Sequence, residues 1–213
     1  ISVGGGELMY EILDYIDFEK IKLLKPKWFV GFSDNTNLTF TLTTLSNIET
    51  IYGACAGHFH FKKYKYDVLD TYLMLQGKKE FKGYPKYEAS PDKTNPFADY
   101  NFDTKKIITP YKYKEPFSGV LLGGNLDCLQ LLCGTPYDKV FEYTSNHKEG
   151  IIFYLEACDL NVVGIKRALL QLKRSNWFQN IRGFLIGRPL CIHQEFAGVD
   201  HLNAVIDVLK EYD

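Results

Sequence analysis

The feature that most constrains the fold is a run of five large apolar or aromatic residues, Ile151 to Leu155, which ends at Glu156. Such a run is typical of a strand covered on both faces, and a parallel sheet packed between helices provides that cover. Apolar residues at helical spacing follow in Val162 to Leu172, and another apolar segment covers residues 181–186. The alternation predicts an α/β fold with a parallel sheet.

The start of the chain shows the same alternation. Val3 is predicted to end a strand before the turn Gly4 to Gly6, and the apolar residues after that turn have helical spacing. The pattern predicts a short apolar strand over residues 28–30, a Thr-rich helix over 38–45 and the next strand over 51–54. This series predicts a second parallel α/β layer.

The middle of the chain has a different composition. Five of the eight prolines lie between residues 83 and 118, among Lys, Tyr, Asp and Asn. This composition predicts a linker with some irregular β structure over residues 84–117. It divides the chain into an N-terminal domain, 1–83, and a C-terminal domain, 118–213.

The stretch Gly31-Phe32-Ser33-Asp34 follows the first apolar strand. A serine at a sharp strand-to-helix turn projects its hydroxyl beyond the sheet, where nearby backbone N–H groups can bind an oxyanion. The hydrolase elbow motif has a glycine two residues after the serine, and this chain has Asn35 there. Two interpretations therefore stay open: Ser33 is a nucleophile, or Ser33 or Asp34 caps the following helix.

Glu156 stands at the carboxyl end of a strand that we expect to be central. Ligands and catalytic groups of open α/β sheets gather at that end. The carboxylate could orient a histidine, or it could be a structural acid whose hydrogen bonds are satisfied.

The glycine turn Gly4 to Gly6 resembles a phosphate-binding loop, but a dinucleotide fingerprint needs glycine at position 9, which is Met9. Its glycines can instead turn backbone N–H groups toward a substrate carbonyl, or form a plain tight turn.

Several classes of partner are not expected. The formal net charge of −1 gives no basic surface for nucleic acid or an anionic membrane, and no apolar stretch reaches the roughly 18 residues of a membrane span. The five cysteines are far apart, which suits reduced thiols in the cytoplasm. His58 and His60 would share one face of an extended segment near Cys55, but a structural or substrate-facing role is favoured over zinc.

Four blocks of the chain together resemble the LD-carboxypeptidase family of serine peptidases, which includes the microcin-C self-immunity peptidases. The blocks are GGGELMYEILDYIDFEKIKLLKPKWFVGFSDNTNL, IYGACAG, GVLLGGNLDCLQLLCGTPYD and IIFYLEACDLNVVGIKRALLQL. They occur in the order of the family and leave out only the Pro-rich stretch.

The resemblance implies a Rossmann-like N-terminal domain, a C-terminal α/β domain and an active site between them. It implies that Ser33 is the nucleophile and Glu156 the acid of a Ser-Glu-His triad. It further implies that the backbone N–H groups of Asp34 and of Gly6 or Gly5 form the oxyanion hole. The block Gly123, Gly124 and Asn125 would shape the cleft floor.

The family's catalytic histidine lies in a Gly-His motif that we expect beyond Asp213, and the family has an additional α/β portion before the glycine turn. We therefore expect this chain to be truncated at both ends.

The implied activity is a metal-independent and cofactor-independent cleavage of the amide before the C-terminal D-residue of murein tetrapeptides during cell-wall recycling. It implies a cytoplasmic homodimer with a peptide substrate. Two alternatives are a microcin-C-type immunity peptidase acting on peptidyl-nucleotides and a non-catalytic α/β binding module.

Overall fold

A computed structural model describes residues 1–60, 64–90, 94–95, 98–112 and 116–212. The α-helices are α1 (Phe18–Lys22), α2 (Thr36–Ser46), α3 (Tyr66–Leu75), α4 (Leu126–Leu132), α5 (Val140–Asn146), α6 (Val162–Arg174) and α7 (His201–Leu209). The strands are β1 (Val30–Gly31), β2 (Ile51–Tyr52), β3 (Lys86–Tyr87), β4 (Thr104–Lys105), β5 (Val120–Asn125), β6 (Ile151–Glu156), β7 (Ile181–Ile186), β8 (Glu195–Phe196) and β9 (Val199–Asp200). Short 3₁₀ helices cover Glu7–Tyr15, Ser33–Asn35 and Ala56–His60.

The C-terminal part contains a parallel three-stranded sheet in the order β5-β6-β7. The predicted central strand is confirmed: β6 lies between the other two, and Ile151 and Phe153 are fully buried. Helices α4 and α5 connect β5 to β6, and α6 connects β6 to β7, as expected for parallel neighbours. The register places Asn125 opposite Glu156 at the carboxyl edge. The fold is α/β, as predicted.

The N-terminal part contains a smaller parallel pair, β1 and β2, in which Val30 lies opposite Ile51. The predicted strand at the start of the chain is wrong. Ser2 donates its N–H to Val30 and accepts a hydrogen bond from the N–H of Ala56, but residues 1–6 form no strand. The glycines Gly4 to Gly6 turn the chain away directly after this segment. Only Ser2 therefore pairs, and no ladder of backbone hydrogen bonds forms.

Helix α2 joins the two parts of the chain. It packs against β5 and α4, and its Phe40 ring stacks on Trp177 at 5.2 Å between ring centroids. One hydrophobic cluster contains residues from both predicted domains, including Leu38, Phe40, Leu129 and Phe153. The two parts are therefore held together by buried apolar contact.

The Pro-rich stretch carries an antiparallel pair, β3 and β4, which agrees with the predicted irregular β structure. The rings of Tyr84 and Phe102 pack against Tyr66 at the start of α3, with centroids 4.1 and 4.0 Å away. Arg188 lies over the ring of Tyr87 at 4.0 Å. These contacts attach the stretch to both flanking parts. Pro91 and Pro96, which contributed to the linker prediction, lie outside the described residues.

Other local predictions were wrong. The segment Glu7–Tyr15 is a 3₁₀ helix rather than an α-helix, and only its Leu13 is buried. The segment Ala56–His60 is also a 3₁₀ helix, so His58 and His60 do not share an extended face. Helices α1, α3 and α5 and the pair β8–β9 were not predicted.

All five cysteines are free thiols, and Cys55, Cys128 and Cys191 are buried. Among the residues that the structure describes, no three His, Cys, Asp or Glu side chains are grouped so that they could hold a metal ion. Within the same residues, no helix combines the length and apolar character needed to cross a membrane.

Candidate active site

Ser33 lies two residues after the end of β1, in a strained turn. Its φ of 60° falls in the left-handed region, which residues other than glycine rarely adopt. Strain of this kind persists only where surrounding contacts hold it, and it concentrates at functional sites. Here the N–H of Ser33 donates to the Tyr52 hydroxyl at 2.9 Å. The turn is therefore an elbow that presents a half-buried serine at the end of a strand.

The predicted alternative, a helix cap, is wrong in this structure. Helix α2 follows Asn35, and no side chain of the described residues caps its N-terminus by a hydrogen bond. The Ser33 hydroxyl instead donates to Oδ2 of Asp34 at 3.2 Å. The Asn35 amide holds the elbow by donating to the carbonyls of Phe32 at 2.9 Å and Gly4 at 3.1 Å.

Glu156 ends β6 beside the elbow. Its Oε1 accepts hydrogen bonds from the Tyr52 hydroxyl at 2.5 Å and from Nδ2 of Asn125 at 2.9 Å. Burial of Tyr52, together with the negative charge of Glu156, raises the pKa of the tyrosine hydroxyl far above its ordinary value. Tyr52 therefore stays neutral and donates a hydrogen bond to the carboxylate. Among the described residues, Oε2 of Glu156 has no hydrogen-bond donor.

The block Gly123, Gly124 and Asn125 brings the two parts into contact. Asn125 donates its N–H to the Thr36 hydroxyl at 2.9 Å and caps α4 by accepting from the N–H of Cys128. A Cβ on Gly124 would lie 2.7 Å from Thr36, and one on Gly123 would lie 1.8 Å from the carbonyl oxygen of Tyr154. The two glycines are required by these close approaches, and they position the Asn125 amide against Glu156.

The glycine turn also contacts the elbow. Gly6 donates its N–H to Oδ2 of Asp34 at 3.1 Å, and a Cβ on Gly5 would lie 3.2 Å from the same oxygen. The Cys128 thiol, whose pKa is raised first by burial and next by the Asp34 charge, donates to Oδ1 of Asp34 at 3.7 Å. One carboxylate oxygen of Asp34 thus contacts both the candidate nucleophile and a candidate oxyanion donor.

Asp127 fixes the loop after Glu156. Its carboxylate accepts hydrogen bonds from three consecutive backbone N–H groups, those of Cys158, Asp159 and Leu160, at 2.9 to 3.0 Å. In addition, a Cβ on Gly187 would lie 2.8 Å from Cβ of Glu156. The backbone around the carboxylate is therefore closely confined.

The histidines lie apart from this network. The His58 ring packs edge-on against Phe32 with centroids 5.3 Å apart. His201 lines a small recess beside Glu156, and burial lowers its pKa. No hydrogen bond joins any histidine to Ser33 or Glu156 within the described residues.

Sequence reasoning missed Tyr52, Thr36 and Asp127. Tyr52 could have been found from the sequence, because it carries a polar group at the carboxyl end of a parallel strand. The same rule, that functional groups gather at that end, singled out Glu156. Thr36 and Asp127 act on backbone groups that are remote in sequence, and no local pattern indicates such contacts.

Comparison with known proteins gives this geometry a family. The family model of the LD-carboxypeptidase N-terminal domain matches residues 1–53, and the family model of the LD-carboxypeptidase C-terminal domain matches residues 118–213. Ser33 and Tyr52 lie in the first match and Glu156 lies in the second. The unmatched residues include the whole Pro-rich stretch.

Two curated relatives align with nearly the whole chain. The Bacillus subtilis protein YocD, which carries the name of a carboxypeptidase, is 29% identical over 99% of this chain and 62% of its own length. The microcin C7 self-immunity protein MccF of Escherichia coli is 24% identical over 99% of this chain and 60% of its own length. The chain thus spans less than two thirds of each relative.

Solved structures show the same fold. MccF in complex with glutamyl sulfamoyl guanosine has a TM-score of 0.68 at 19% identity, covering 100% of this chain and 64% of that one. The muramoyltetrapeptide carboxypeptidase from Oxalobacter formigenes has a TM-score of 0.60 at 22% identity, covering 94% and 59%. The matched domains and the shared fold show that this chain belongs to the LD-carboxypeptidase family of serine peptidases.

Proposed function

We propose that the full-length protein containing this chain is a serine carboxypeptidase. It cleaves the amide bond before the C-terminal D-residue of a murein tetrapeptide. The observation that carries the proposal is the strained Ser33 elbow, which is linked through one tyrosine hydroxyl to Glu156. Family membership supports the reaction class, and the similarity to a muramoyltetrapeptide carboxypeptidase supports the substrate class.

In the proposed mechanism, a histidine from a segment after Asp213 removes the proton from the Ser33 hydroxyl, which attacks the amide carbonyl carbon. Glu156 orients this histidine through Oε2, because Oε1 already accepts two hydrogen bonds. The tetrahedral intermediate collapses as the histidine donates its proton to the leaving amine, and the D-amino acid departs. Water, deprotonated by the same histidine, then hydrolyses the acyl-enzyme and regenerates Ser33.

The oxyanion needs donors that are free or can become free. Asp34 N–H meets this requirement, since no described group accepts a hydrogen bond from it. The Gly6 N–H donates to the Asp34 carboxylate, so that side chain must turn away before Gly6 can bind an oxyanion. Gly5 lies against Asp34 and is the alternative donor.

The test is release of D-alanine from a murein tetrapeptide by the full-length protein. Ser33→Ala should abolish release while the circular dichroism spectrum and melting temperature stay unchanged, because the substitution removes one half-buried hydroxyl. Ser90→Ala, at an exposed serine of the Pro-rich stretch, is the matched control and should retain full activity. Turnover by Ser33→Ala at the wild-type rate would exclude Ser33 as the nucleophile.

A second candidate function is cleavage of peptidyl-nucleotides, as in a microcin-C-type immunity peptidase. The observation that favours it is the similarity to MccF in both sequence and fold. Side-by-side assays of one enzyme preparation on a murein tetrapeptide and an aspartyl sulfamoyl adenosine substrate separate the two. The larger kcat/KM identifies the substrate class. A non-catalytic binding module would cleave neither substrate and would leave Ser33 unlabelled by a serine-reactive phosphonate.

A further inference from the structure

The candidate nucleophile and the candidate acid belong to different sheets. Ser33 follows β1 of the small N-terminal pair, whereas Glu156 ends β6 of the C-terminal sheet. A triad needs its members in a fixed relative position, and in the described part of the chain no backbone ladder joins these two sheets. Something other than sheet hydrogen bonding must set the separation of the two residues.

Tyr52 makes that connection. It ends β2 opposite Gly31, so its backbone is fixed relative to the strand that delivers Ser33. Its ring packs against Tyr154 of β6 with centroids 5.7 Å apart. The side chain therefore begins on the nucleophile's sheet and ends against the acid's sheet.

We propose that Tyr52 is a positioning residue that fixes the Ser33 backbone and the Glu156 carboxylate relative to each other. The proposal rests on the proposed function, since it assigns Tyr52 to the same reaction. The hydroxyl accepts from Ser33 N–H at 2.9 Å and donates to Glu156 Oε1 at 2.5 Å. A neutral hydroxyl has one proton and free lone pairs, so it can serve both partners at once.

The direction of these two bonds follows from charge. A carboxylate only accepts hydrogen bonds and a backbone N–H only donates them. The Tyr52 hydroxyl must therefore accept from Ser33 and donate its hydrogen bond to Glu156. Burial and the charge of Glu156 both disfavour the tyrosinate, which keeps the proton in place. Tyr52 therefore acts as a fixed bridge and does not serve as a base.

The same bond determines which backbone groups stabilise the oxyanion. In many serine hydrolases the N–H of the nucleophile can contribute to the oxyanion hole. Here Ser33 N–H is committed to Tyr52, which leaves Asp34 N–H and the glycine turn. Loss of the Tyr52 hydroxyl would release the Ser33 N–H and remove a contact that holds its left-handed conformation.

The experiment compares Tyr52→Phe with Tyr154→Phe in the full-length protein. Both variants remove one phenolic hydroxyl from the same aromatic contact. Among the described residues the Tyr154 hydroxyl has no hydrogen-bond partner, so this variant is the matched control. Amide hydrogen exchange of Ser33, measured by NMR, reports the elbow without requiring activity. Steady-state kinetics on the tetrapeptide report the reaction.

Tyr52→Phe should speed exchange of the Ser33 amide by roughly tenfold or more, because the amide loses its acceptor. It should lower kcat roughly 30-fold to 100-fold with KM within about twofold of wild type, as expected for lost alignment. Tyr154→Phe should leave both quantities close to wild type. A melting temperature equal in the two variants separates positioning from general destabilisation.

Two results would overturn the proposal. Equal Ser33 exchange rates in the two variants would mean that the hydroxyl does not hold the elbow, and this result stands even if the wild-type protein has no peptidase activity. Faster exchange with unchanged kcat would mean that the bond does not serve the reaction. Failure of the wild-type protein to release D-alanine or to cleave a peptidyl-nucleotide counts against the proposed function and not against the bridge.

Discussion

The two sides of the candidate active site are built in different ways. On the acid side, Glu156 ends a six-residue strand at the centre of a regular parallel sheet. On the nucleophile side, Ser33 follows a two-residue strand and is held in a left-handed turn by side chains. Ladder hydrogen bonds and apolar burial position the acid, whereas a few tertiary hydrogen bonds position the nucleophile. The difference indicates that the nucleophile side is more sensitive to single side-chain changes.

The largest effect is expected on the acid side, from a substitution of Glu156 that tests whether this residue is catalytic. Glu156→Gln keeps the size of the side chain and its acceptor for Tyr52, but it removes the charge that would orient a histidine. We expect kcat of the full-length protein to fall on the order of 10⁴-fold, as in other triads. Glu142→Gln, at an exposed glutamate of α5, is the control and should leave kcat unchanged. A near-normal rate for Glu156→Gln would assign this residue a structural role.

A smaller but still large effect should follow from disturbing the regular sheet itself. The Cβ of Gly123→Ala would meet the Tyr154 carbonyl oxygen at 1.8 Å, at a φ of 153°. Because backbone must move to admit it, we expect a loss of about 3 kcal/mol or more in the free energy of unfolding. Gly4→Ala meets no atom within 4 Å and should change this free energy by less than about 0.5 kcal/mol. Urea unfolding of both variants measures the difference, and similar midpoints would contradict the predicted clash.

The smallest effect concerns the junction between the two sides. Thr36→Val removes the acceptor of the buried Asn125 N–H, and we expect a loss of about 1–2 kcal/mol in the free energy of unfolding. Thr39, on the same helix, has a buried hydroxyl that makes no hydrogen bond to any residue the structure describes. Thr39→Val should therefore be neutral or stabilising, because it removes an unsatisfied group.

The pair provides a direct comparison by urea unfolding, because substitution and helix are the same. Equal losses for the two variants would show that the Thr36 hydroxyl contributes no specific support to Asn125. A loss confined to Thr36→Val would show that the junction depends on this one bond.

The acid side was the more predictable of the two. The apolar run 151–155 is long enough to specify a buried strand, and its position between helical segments specifies parallel neighbours. Asn125 is a polar residue directly before the apolar stripe Leu126, Leu129 and Leu132, a pattern typical of a helix cap, and its side chain does cap α4. The register that places Asn125 opposite Glu156 was not predicted, because register depends on how the two strands meet in space.

The local conformation on the nucleophile side could not be predicted from the residue pattern, for physical reasons. The stretch around Ser33 is compatible with a helix cap or an elbow, since both use a small polar residue before a helix. The 3₁₀ helices at Glu7–Tyr15 and Ala56–His60 depend on short-range geometry that apolar spacing does not distinguish from other turns. Tertiary contacts determine the conformation of each of these segments.

The sequence by itself determined the α/β class, the central strand, the Asn125 cap and the position of Glu156 at a strand end, because these depend on local hydrophobic pattern and turn chemistry. The tertiary structure decided that Ser33 adopts a strained elbow, that Asp34 contacts the glycine turn, and that Tyr52 joins Ser33 to Glu156. Those features require groups far apart in the chain to lie within hydrogen-bonding distance, and only packing of the two sheets through α2 brings them there.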